Sequence, residues 1–167
     1  ISGVAYAIKY LKPECRVIGV QAAGAASMYT SRQAGEVLTL PSVATIADGI
    51  AVKRPGDLTF ALCQRYVDDI VTVRDDEIAA AILALLEDQK TVAEGAGAVS
   101  VAAVMFGKVD LVGKNTVCVV SGGNVDVTTL SRIITKGLSK TGRITEFTVK
   151  IADKPGSLVQ LLRTISQ

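Results

Sequence analysis

A short apolar run that stops at two glycines is the feature of this sequence that most limits its fold. Residues 116–120 are mostly β-branched, which is typical of a strand buried on both faces of a parallel sheet. Ser121, Gly122 and Gly123 follow, and glycine permits both positive φ and a close approach to the backbone. Because open α/β sheets bind ligands beyond the carboxyl ends of their strands, Ser121 lies at a candidate site. An ordinary strand-to-loop turn uses the same residue types and is the alternative.

Strands and helices alternate along most of the chain. The pattern predicts strands at 16–20 and 69–73 in addition to 116–120. The predicted helices cover residues 2–10, 24–34, 58–67, 76–89, 95–106 and 128–136, with Asp57 as a cap of the third and an amphipathic face on the fourth. Short strands separated by helices indicate an α/β fold with a parallel sheet and right-handed crossovers.

The pattern restarts after residue 142. Residues 138–142 are predicted to be a linker, 144–151 to be an alternating strand, and Leu158, Leu161, Leu162 and Ile165 to form one face of a helix. We therefore predict two domains, residues 1–141 and residues 142–167.

Composition excludes several classes of function. The net charge of +2 and the 4% aromatic content give neither a basic stripe nor a stacking surface for nucleic acid. Histidine is absent, which removes Ser-His and Cys-His nucleophile pairs and His-ligated metals. The three cysteines are far apart and form no disulfide framework, which favours a reducing, cytoplasmic setting.

Two further features set the expected context of the chain. No apolar run approaches the roughly 20 residues needed to span a bilayer, so we expect no membrane partner. The 49% hydrophobic content favours burial in an interface as well as a core, so we expect a homo-oligomer, a dimer or a tetramer. Because the first residue is Ile1 and not Met, we expect a piece of a longer polypeptide.

Two acidic motifs can be interpreted without any function. Asp48-Gly49 is an ordinary turn signal. Glu94 precedes the small-residue helix that begins at Gly95, and a carboxylate there interacts favourably with the helix dipole.

Taken together, however, six blocks in order make the chain resemble the threonine dehydratases (threonine ammonia-lyases). These are pyridoxal-phosphate enzymes with the tryptophan-synthase-β fold, close to serine racemase. The blocks are Ile1-Ser2-Gly3, Arg16-Val17-Ile18-Gly19-Val20, Ile46-Ala47-Asp48-Gly49, Val67-Asp68-Asp69-Ile70-Val71, Glu94-Gly95-Ala96-Gly97-Ala98 and Ser121-Gly122-Gly123-Asn124-Val125-Asp126. The resemblance implies a three-layer parallel-sheet portion of that fold, with pyridoxal 5'-phosphate as cofactor.

The resemblance also implies roles for individual residues. Ser121 would hydrogen-bond the pyridine nitrogen of the cofactor, and Gly122, Gly123 and Asn124 would shape the edge of its pocket. Glu94, Asp48 and Gly49 match positions that line the pocket. The helix that starts at Ile1-Ser2-Gly3 would point its N-terminus at the phosphate, where an anion is favoured.

The activity implied is the conversion of L-threonine, and of L-serine, to 2-oxobutanoate or pyruvate with release of ammonia. The Schiff-base lysine of this family lies upstream, so no catalytic residue is expected within the chain and the 167 residues alone should be inactive. The alternatives are a serine racemase of the same fold and a non-catalytic regulator that binds amino acids. A degradative role and a role in isoleucine synthesis both remain open.

The resemblance also bears on two other parts of the chain. Residues 143–167 are similar to the start of an ACT regulatory domain, with an effector amino acid, isoleucine or valine, at Asp153–Leu158. Serine racemase relatives hold a divalent cation with acidic residues after the strand that matches 16–20, where this chain has Gln21, Ala25 and Ser27. Neutral oxygens bind Mg²⁺ or Ca²⁺ poorly, so we predict no divalent metal and leave a monovalent cation open.

Overall fold

A computed structural model describes residues 1–166 of the chain. In chain order the elements are α1 (Ser2–Leu11), β1 (Ile18–Ala22), α2 (Ser27–Ala34), α3 (Asp57–Tyr66), β2 (Asp69–Val73), α4 (Asp75–Gln89), α5 (Gly95–Met105), α6 (Val127–Lys140) and α7 (Ser157–Ile165). Two short 3₁₀ helices cover Ala23–Ala25 and Asp48–Ile50. The predicted alternation of strands and helices is therefore confirmed over the first half of the chain.

The sheet of the described residues consists of β1 and β2, which pair in parallel. The register runs from Ile18 opposite Asp69 to Ala22 opposite Val73. Both strands were predicted, although β1 begins two residues later than expected. Because the strands are parallel, their carboxyl ends lie at the same edge, next to the start of α4.

Two hydrophobic cores cover the opposite faces of this sheet, which makes three layers. Ile70 packs with Ala5, Val17, Cys63 and Val67 in a core beneath α1 and α3. Val71 and Val73 of the same strand face the other way, into a larger core formed mainly by α4, α5 and Ile133 of α6. This separation follows from the pleat, which sends successive side chains to opposite faces.

Helix α4 is buried on more than the single face that the sequence predicts. Ile78, Ile82 and Leu85 are buried as expected, but so are Ala79, Ala80, Ala81 and Leu83. The expectation of an amphipathic helix is therefore wrong in part. The reason is that α5 and α6 both pack against α4, so that small side chains as well as large ones are covered.

Two predicted strands do not form. Residues 116–120 and 144–151 form no regular secondary structure and are unpaired, and Val117 and Phe147 are 89% and 59% exposed. Within residues 1–166 no strand lies beside either segment, and a strand, unlike a helix, takes its backbone hydrogen bonds from a neighbour. Ser100 of α5 donates to the Val119 carbonyl at 2.9 Å in place of a ladder.

Several helix boundaries also differ from prediction, among them the start of α2, which begins at Ser27 and not at residue 24. Helix α6 continues through Gly137 to Lys140, so residues 138–140 are not a linker. Glycine at 137 does not end the helix but allows close packing, because a Cβ there would lie 2.8 Å from the Ala79 carbonyl oxygen of α4. Asp57 is the first helical residue of α3 and not its cap, and its carboxylate pairs with Arg54 at 2.7 Å.

The remaining C-terminal helix was predicted correctly. Helix α7 begins at Ser157 after Gly156, which has a φ of +89°, and it buries none of its described side chains. No helix in residues 1–166 is both long and apolar enough to cross a membrane.

Candidate functional site

The N-terminal turn of α5 brings together three segments that are far apart in sequence. A Cβ on Gly95 would lie 2.5 Å from the Ile46 carbonyl oxygen, and one on Gly97 would lie 2.6 Å from the Gly122 carbonyl oxygen. Real Cβ atoms do not approach backbone oxygens so closely, so only glycine permits this packing. The small-residue start of α5 therefore fixes the 46–49 loop and the 121–124 segment on either side of it.

Glu94 joins two of these segments through its backbone and its side chain. Its N–H donates to the Gly122 carbonyl at 2.9 Å, and its carboxylate accepts from the Asn124 N–H at 3.1 Å. The side chain makes no capping hydrogen bond to α5. The carboxylate also lies against Gly122, where a Cβ would be 2.5 Å from Glu94 Oε1. Glu94 is thus more than the helix-dipole partner that its position suggests.

Asp48 and Gly49 complete this cluster. They begin a 3₁₀ turn, which confirms the turn predicted from the Asp-Gly pair, and the Asp48 carboxylate accepts from the Gly49 N–H at 2.9 Å. A Cβ on Gly49 would be 3.2 Å from the Ala96 Cβ and 3.7 Å from Glu94 Oε1. Gly49 therefore lets the loop lie close to the start of α5.

A small pocket of about 80 Å³ lies between these segments. Its lining residues are Ile46, Asp48, Glu94, Asn124, Val125, Asp126, Thr129 and Ile133. Three of them carry carboxylates, so the pocket attracts cations and hydrogen-bond donors and repels phosphate. Its volume is well below the roughly 300 Å³ at which small-molecule sites begin, so it can hold only part of a larger ligand.

The structure separates the predicted site residues into two groups. Asp48, Gly49, Glu94, Gly122 and Asn124 come together around the start of α5. Ser121 and Gly123 flank Gly122 in the sequence but do not line the pocket, and both are exposed. A Cβ on Gly123 would lie 2.6 Å from the Val92 carbonyl oxygen, so this glycine also fits closely against the backbone before α5.

Helix α6 and its cap contribute residues to the site that were not predicted from the sequence. Asp126 caps this helix, with its carboxylate accepting from the Thr129 N–H at 2.9 Å and from the Thr129 hydroxyl at 2.6 Å. These hydrogen bonds hold the pKa of Asp126 below its usual range. An aspartate before a polar helix is an ordinary cap signal, which could have placed Asp126 and Thr129 beside the site.

The side chain of Gln21, one of the residues considered above as a metal ligand, forms hydrogen bonds within the protein. Its side-chain oxygen accepts from the Tyr29 N–H at 2.8 Å, and its amide group donates to the Ala25 carbonyl at 3.4 Å. Ser27 is buried. In the part of the chain that the structure describes, no three His, Cys, Asp or Glu side chains come together as metal ligands. The absence of a divalent metal remains a prediction.

These features define a class of protein. A parallel sheet covered on both faces, with glycine-lined loops and polar groups meeting beside one helix N-terminus, is a small-molecule site built on an α/β fold.

The family follows from comparison with known proteins. The model of the pyridoxal-phosphate dependent enzyme family matches residues 1–122, and the chain belongs to that family. It is 52% identical over 167 residues to an L-threonine ammonia-lyase of Thermotoga maritima, covering all of this chain and 41% of that protein.

Solved structures agree with this assignment. The processed form of threonine deaminase isoform 2 from Solanum lycopersicum superposes with a TM-score of 0.74 at 37% identity, over 81% of this chain and 38% of that one. Maize serine racemase gives 0.71 at 36% identity, over 84% and 44%. The chain therefore spans about two fifths of the length of the relatives it matches.

The residues present fit one end of the cofactor that this family uses. Ser121 has an exposed neutral hydroxyl, a group that can donate to a ring nitrogen, and the two residues that follow it, Gly122 and Gly123, carry no side chains. The carboxylates of Asp48, Glu94 and Asp126 do not suit the phosphate. The residues around the start of α5 therefore fit the ring edge, and a phosphate would be held outside this pocket. The N-terminus of α1 remains the predicted place for it.

Proposed function

We propose that this chain forms one wall of the cofactor site of a pyridoxal-phosphate dependent lyase. That enzyme would convert L-threonine, and L-serine, to the corresponding keto acid and ammonia. The observation that carries this proposal is the convergence of Asp48-Gly49, Glu94 and Gly122–Asn124 around the N-terminus of α5, in a chain 52% identical throughout to an L-threonine ammonia-lyase. The Schiff-base lysine would come from outside these 167 residues.

Ser121 would hold the pyridine nitrogen. When bound, the cofactor supplies the electron sink for breaking bonds at the α-carbon of an amino acid, and the protein tunes the strength of that sink. A neutral hydroxyl donates a hydrogen bond to the nitrogen without protonating it, whereas a carboxylate would keep a proton there. The weaker sink favours loss of the β-hydroxyl over transamination.

Glu94 and Asn124 would keep Ser121 in place. The hydrogen bonds of Glu94 to Gly122 and Asn124 fix the backbone on the C-terminal side of Ser121, so that its hydroxyl has a defined direction. Asp48 lines the same pocket and would face substrate or solvent. A fixed position of the Ser121 hydroxyl matters because small displacements at a reacting centre lower the reaction rate strongly.

Serine racemase is the second candidate, and the fold does not separate the two. The threonine deaminase and serine racemase structures superpose almost equally well, with TM-scores of 0.74 and 0.71. The sequence does favour the lyase, because identity to the threonine ammonia-lyase is 52% and extends over the entire chain. Gln21 in place of an acidic residue also supports the lyase.

The experiment expresses the full reading frame that contains this chain, supplies pyridoxal phosphate, and measures keto acid released from L-threonine and L-serine. D-serine is measured in the same samples. We expect keto acid from L-threonine with little D-serine. D-serine as the main product would instead establish the racemase. If no keto acid forms and borohydride fixes no cofactor on a lysine, the chain is a non-catalytic scaffold.

Regulation and context form the rest of the proposal. Residues 143–167 would begin an ACT-type domain that binds isoleucine or valine near Asp153–Leu158, and adding each amino acid to the same assay tests this.

Free cysteines at 15, 63 and 118 support a reducing, cytoplasmic setting. The exposed apolar face of α7 supports a homo-oligomer, and light scattering of the full protein would measure its size.

A further inference from the structure

Asp75, the first residue of α4, contacts the loop that leads into Asp48-Gly49. One carboxylate oxygen accepts from the Thr45 hydroxyl at 2.6 Å, and the other accepts from the Ile46 N–H at 3.1 Å. The side chain is only 28% exposed. Both contacts are charge-assisted hydrogen bonds, which are about twice as strong as neutral ones.

The loop transmits this anchoring directly to the candidate site. The Thr45 oxygen that donates its proton to Asp75 also accepts from the Ala47 N–H at 3.1 Å. The Ala47 carbonyl in turn accepts from the Ile50 N–H at 3.1 Å, which closes the turn that carries Asp48 and Gly49. Ala47 is fully buried, and Gly95 of α5 packs against Ile46 and Ala47. The loop is therefore held by α5 on one side and by Asp75 on another.

Asp75 also lies near the helix that follows the Ser121 segment. Lys136 of α6 places its ammonium 3.9 Å from the Asp75 carboxylate. This pair is long and Lys136 is 44% exposed, so it adds little compared with the two hydrogen bonds. The loop contacts are the ones with consequences for the site.

We propose that Asp75 is a positioning residue, whose carboxylate holds residues 45–47 and so fixes where Asp48 and Gly49 lie in the site. It touches neither the pocket nor Ser121 and acts through Thr45 and Ile46. Its effect on turnover rests on the function proposed above, whereas its hold on the loop does not.

The chain offers a matched control in the next residue. Asp76 also starts α4 and carries the same charge, but its carboxylate pairs with Lys140 at 2.8 Å and with Arg74 at 3.2 Å, away from the loop. Asp76→Asn therefore removes the same charge from the same helix end without touching Thr45 or Ile46.

The first experiment measures amide hydrogen exchange of Ile46, Ala47 and Ile50 by NMR. Asp75→Asn should accelerate exchange at these amides by about tenfold, since one charged acceptor is replaced by a donor. Asp76→Asn should leave them unchanged. Unchanged exchange in Asp75→Asn, or equal acceleration in Asp76→Asn, would overturn the proposal.

A second pair of variants keeps the test valid if Asp75→Asn does not fold. Thr45→Val keeps the shape of the side chain but removes the hydroxyl, whereas Thr45→Ser keeps the hydroxyl. We expect faster exchange at Ala47 and Ile50 in Thr45→Val and recovery in Thr45→Ser. Equal exchange in the two variants would show that the hydroxyl bridge does not hold the loop.

The same variants in the full reading frame with pyridoxal phosphate connect the loop to turnover. We expect kcat/KM for L-threonine to fall by about tenfold in Asp75→Asn and Thr45→Val and to recover in Thr45→Ser, in parallel with exchange. Unaltered kcat/KM together with faster exchange would refute the role in positioning. If the wild-type protein releases no keto acid, the proposed function fails, but the exchange results still decide whether Asp75 holds the loop.

Discussion

Residues 45–126 and residues 142–166 both follow sequence patterns that predict α/β units, yet only the first of these regions is packed. In residues 45–126, glycine contacts, Asp75 and Glu94 connect the loops to buried helices. In residues 142–166 most of the large apolar side chains are exposed, including Phe147 at 59% and Leu162 at 55%. Near the start of this second region, Arg143 pairs with Glu87 of α4 at 2.7 Å.

The difference shows what an apolar pattern does and does not determine. The spacing in α7 is as regular as that in α4, and both segments form helices because a helix satisfies its backbone internally. What covers the apolar face is a separate question, which depends on segments distant in sequence or on another chain. Residues 144–151 show the same limit for a strand, since within residues 1–166 nothing pairs with them.

The largest expected effect tests this comparison directly. Ile82→Ala in α4 should lower the free energy of unfolding by about 3 kcal/mol, because the side chain is fully buried and its loss leaves a cavity. In the monomeric 167-residue chain, Leu162→Ala in α7 should change it by less than about 0.5 kcal/mol, because the side chain is 55% exposed. Urea denaturation followed by circular dichroism measures both. A similar loss in Leu162→Ala would mean that α7 is covered in solution.

The next effect concerns the close packing at the start of α5. Gly97→Ala should cost about 2 kcal/mol in the same measurement, because the new Cβ would lie 2.6 Å from the Gly122 carbonyl oxygen. Gly3→Ala in α1 is the control, since nothing lies within 4 Å of a Cβ there and alanine is the better helix former. Equal stability of the two variants would show that α5 and the 121–124 segment are not in close contact.

A smaller effect on the free energy of unfolding, which depends on pH, is expected when Glu77 is replaced. Burial alone would raise the pKa of this carboxyl group, but hydrogen bonds from the Arg74 N–H and the Lys108 ammonium outweigh burial and hold the pKa below its usual value. Glu77→Gln should cost about 1 kcal/mol at pH 7.

The sign of the pH dependence follows from the lowered pKa. The stabilisation by Glu77 is fully present above the unfolded-state pKa of about 4.3 and is lost as the pH falls through the lower folded-state value. The difference between wild type and Glu77→Gln should therefore shrink below about pH 4. Glu87→Gln, on the exposed side of the same helix, is the control and should show little change. A difference that grows towards low pH would contradict this account.

The sequence was sufficient for features that depend on local chemistry. β2 was predicted to the residue, and α2 ends at Ala34 as predicted, although it begins three residues later than predicted. The six ordered blocks were sufficient for the family. Local patterns could not show that the Glu94 side chain reaches Asn124 or that Asp75 reaches Thr45, since these partners are 30 residues apart. The role of Gly137 could not be predicted locally either. Glycine often ends a helix, but Gly137 lies inside α6 and contacts α4.

The measurement that tests the central claim most directly compares Ser121→Asp with Ser121→Thr in the full reading frame loaded with pyridoxal phosphate. Keto-acid release from L-threonine is followed, with cofactor absorbance as the control for binding. We predict that Ser121→Thr, which keeps a hydroxyl, retains turnover, and that Ser121→Asp binds the cofactor but loses most elimination because its carboxylate keeps a proton on the ring nitrogen. Undiminished keto-acid release in Ser121→Asp would contradict the role assigned to Ser121.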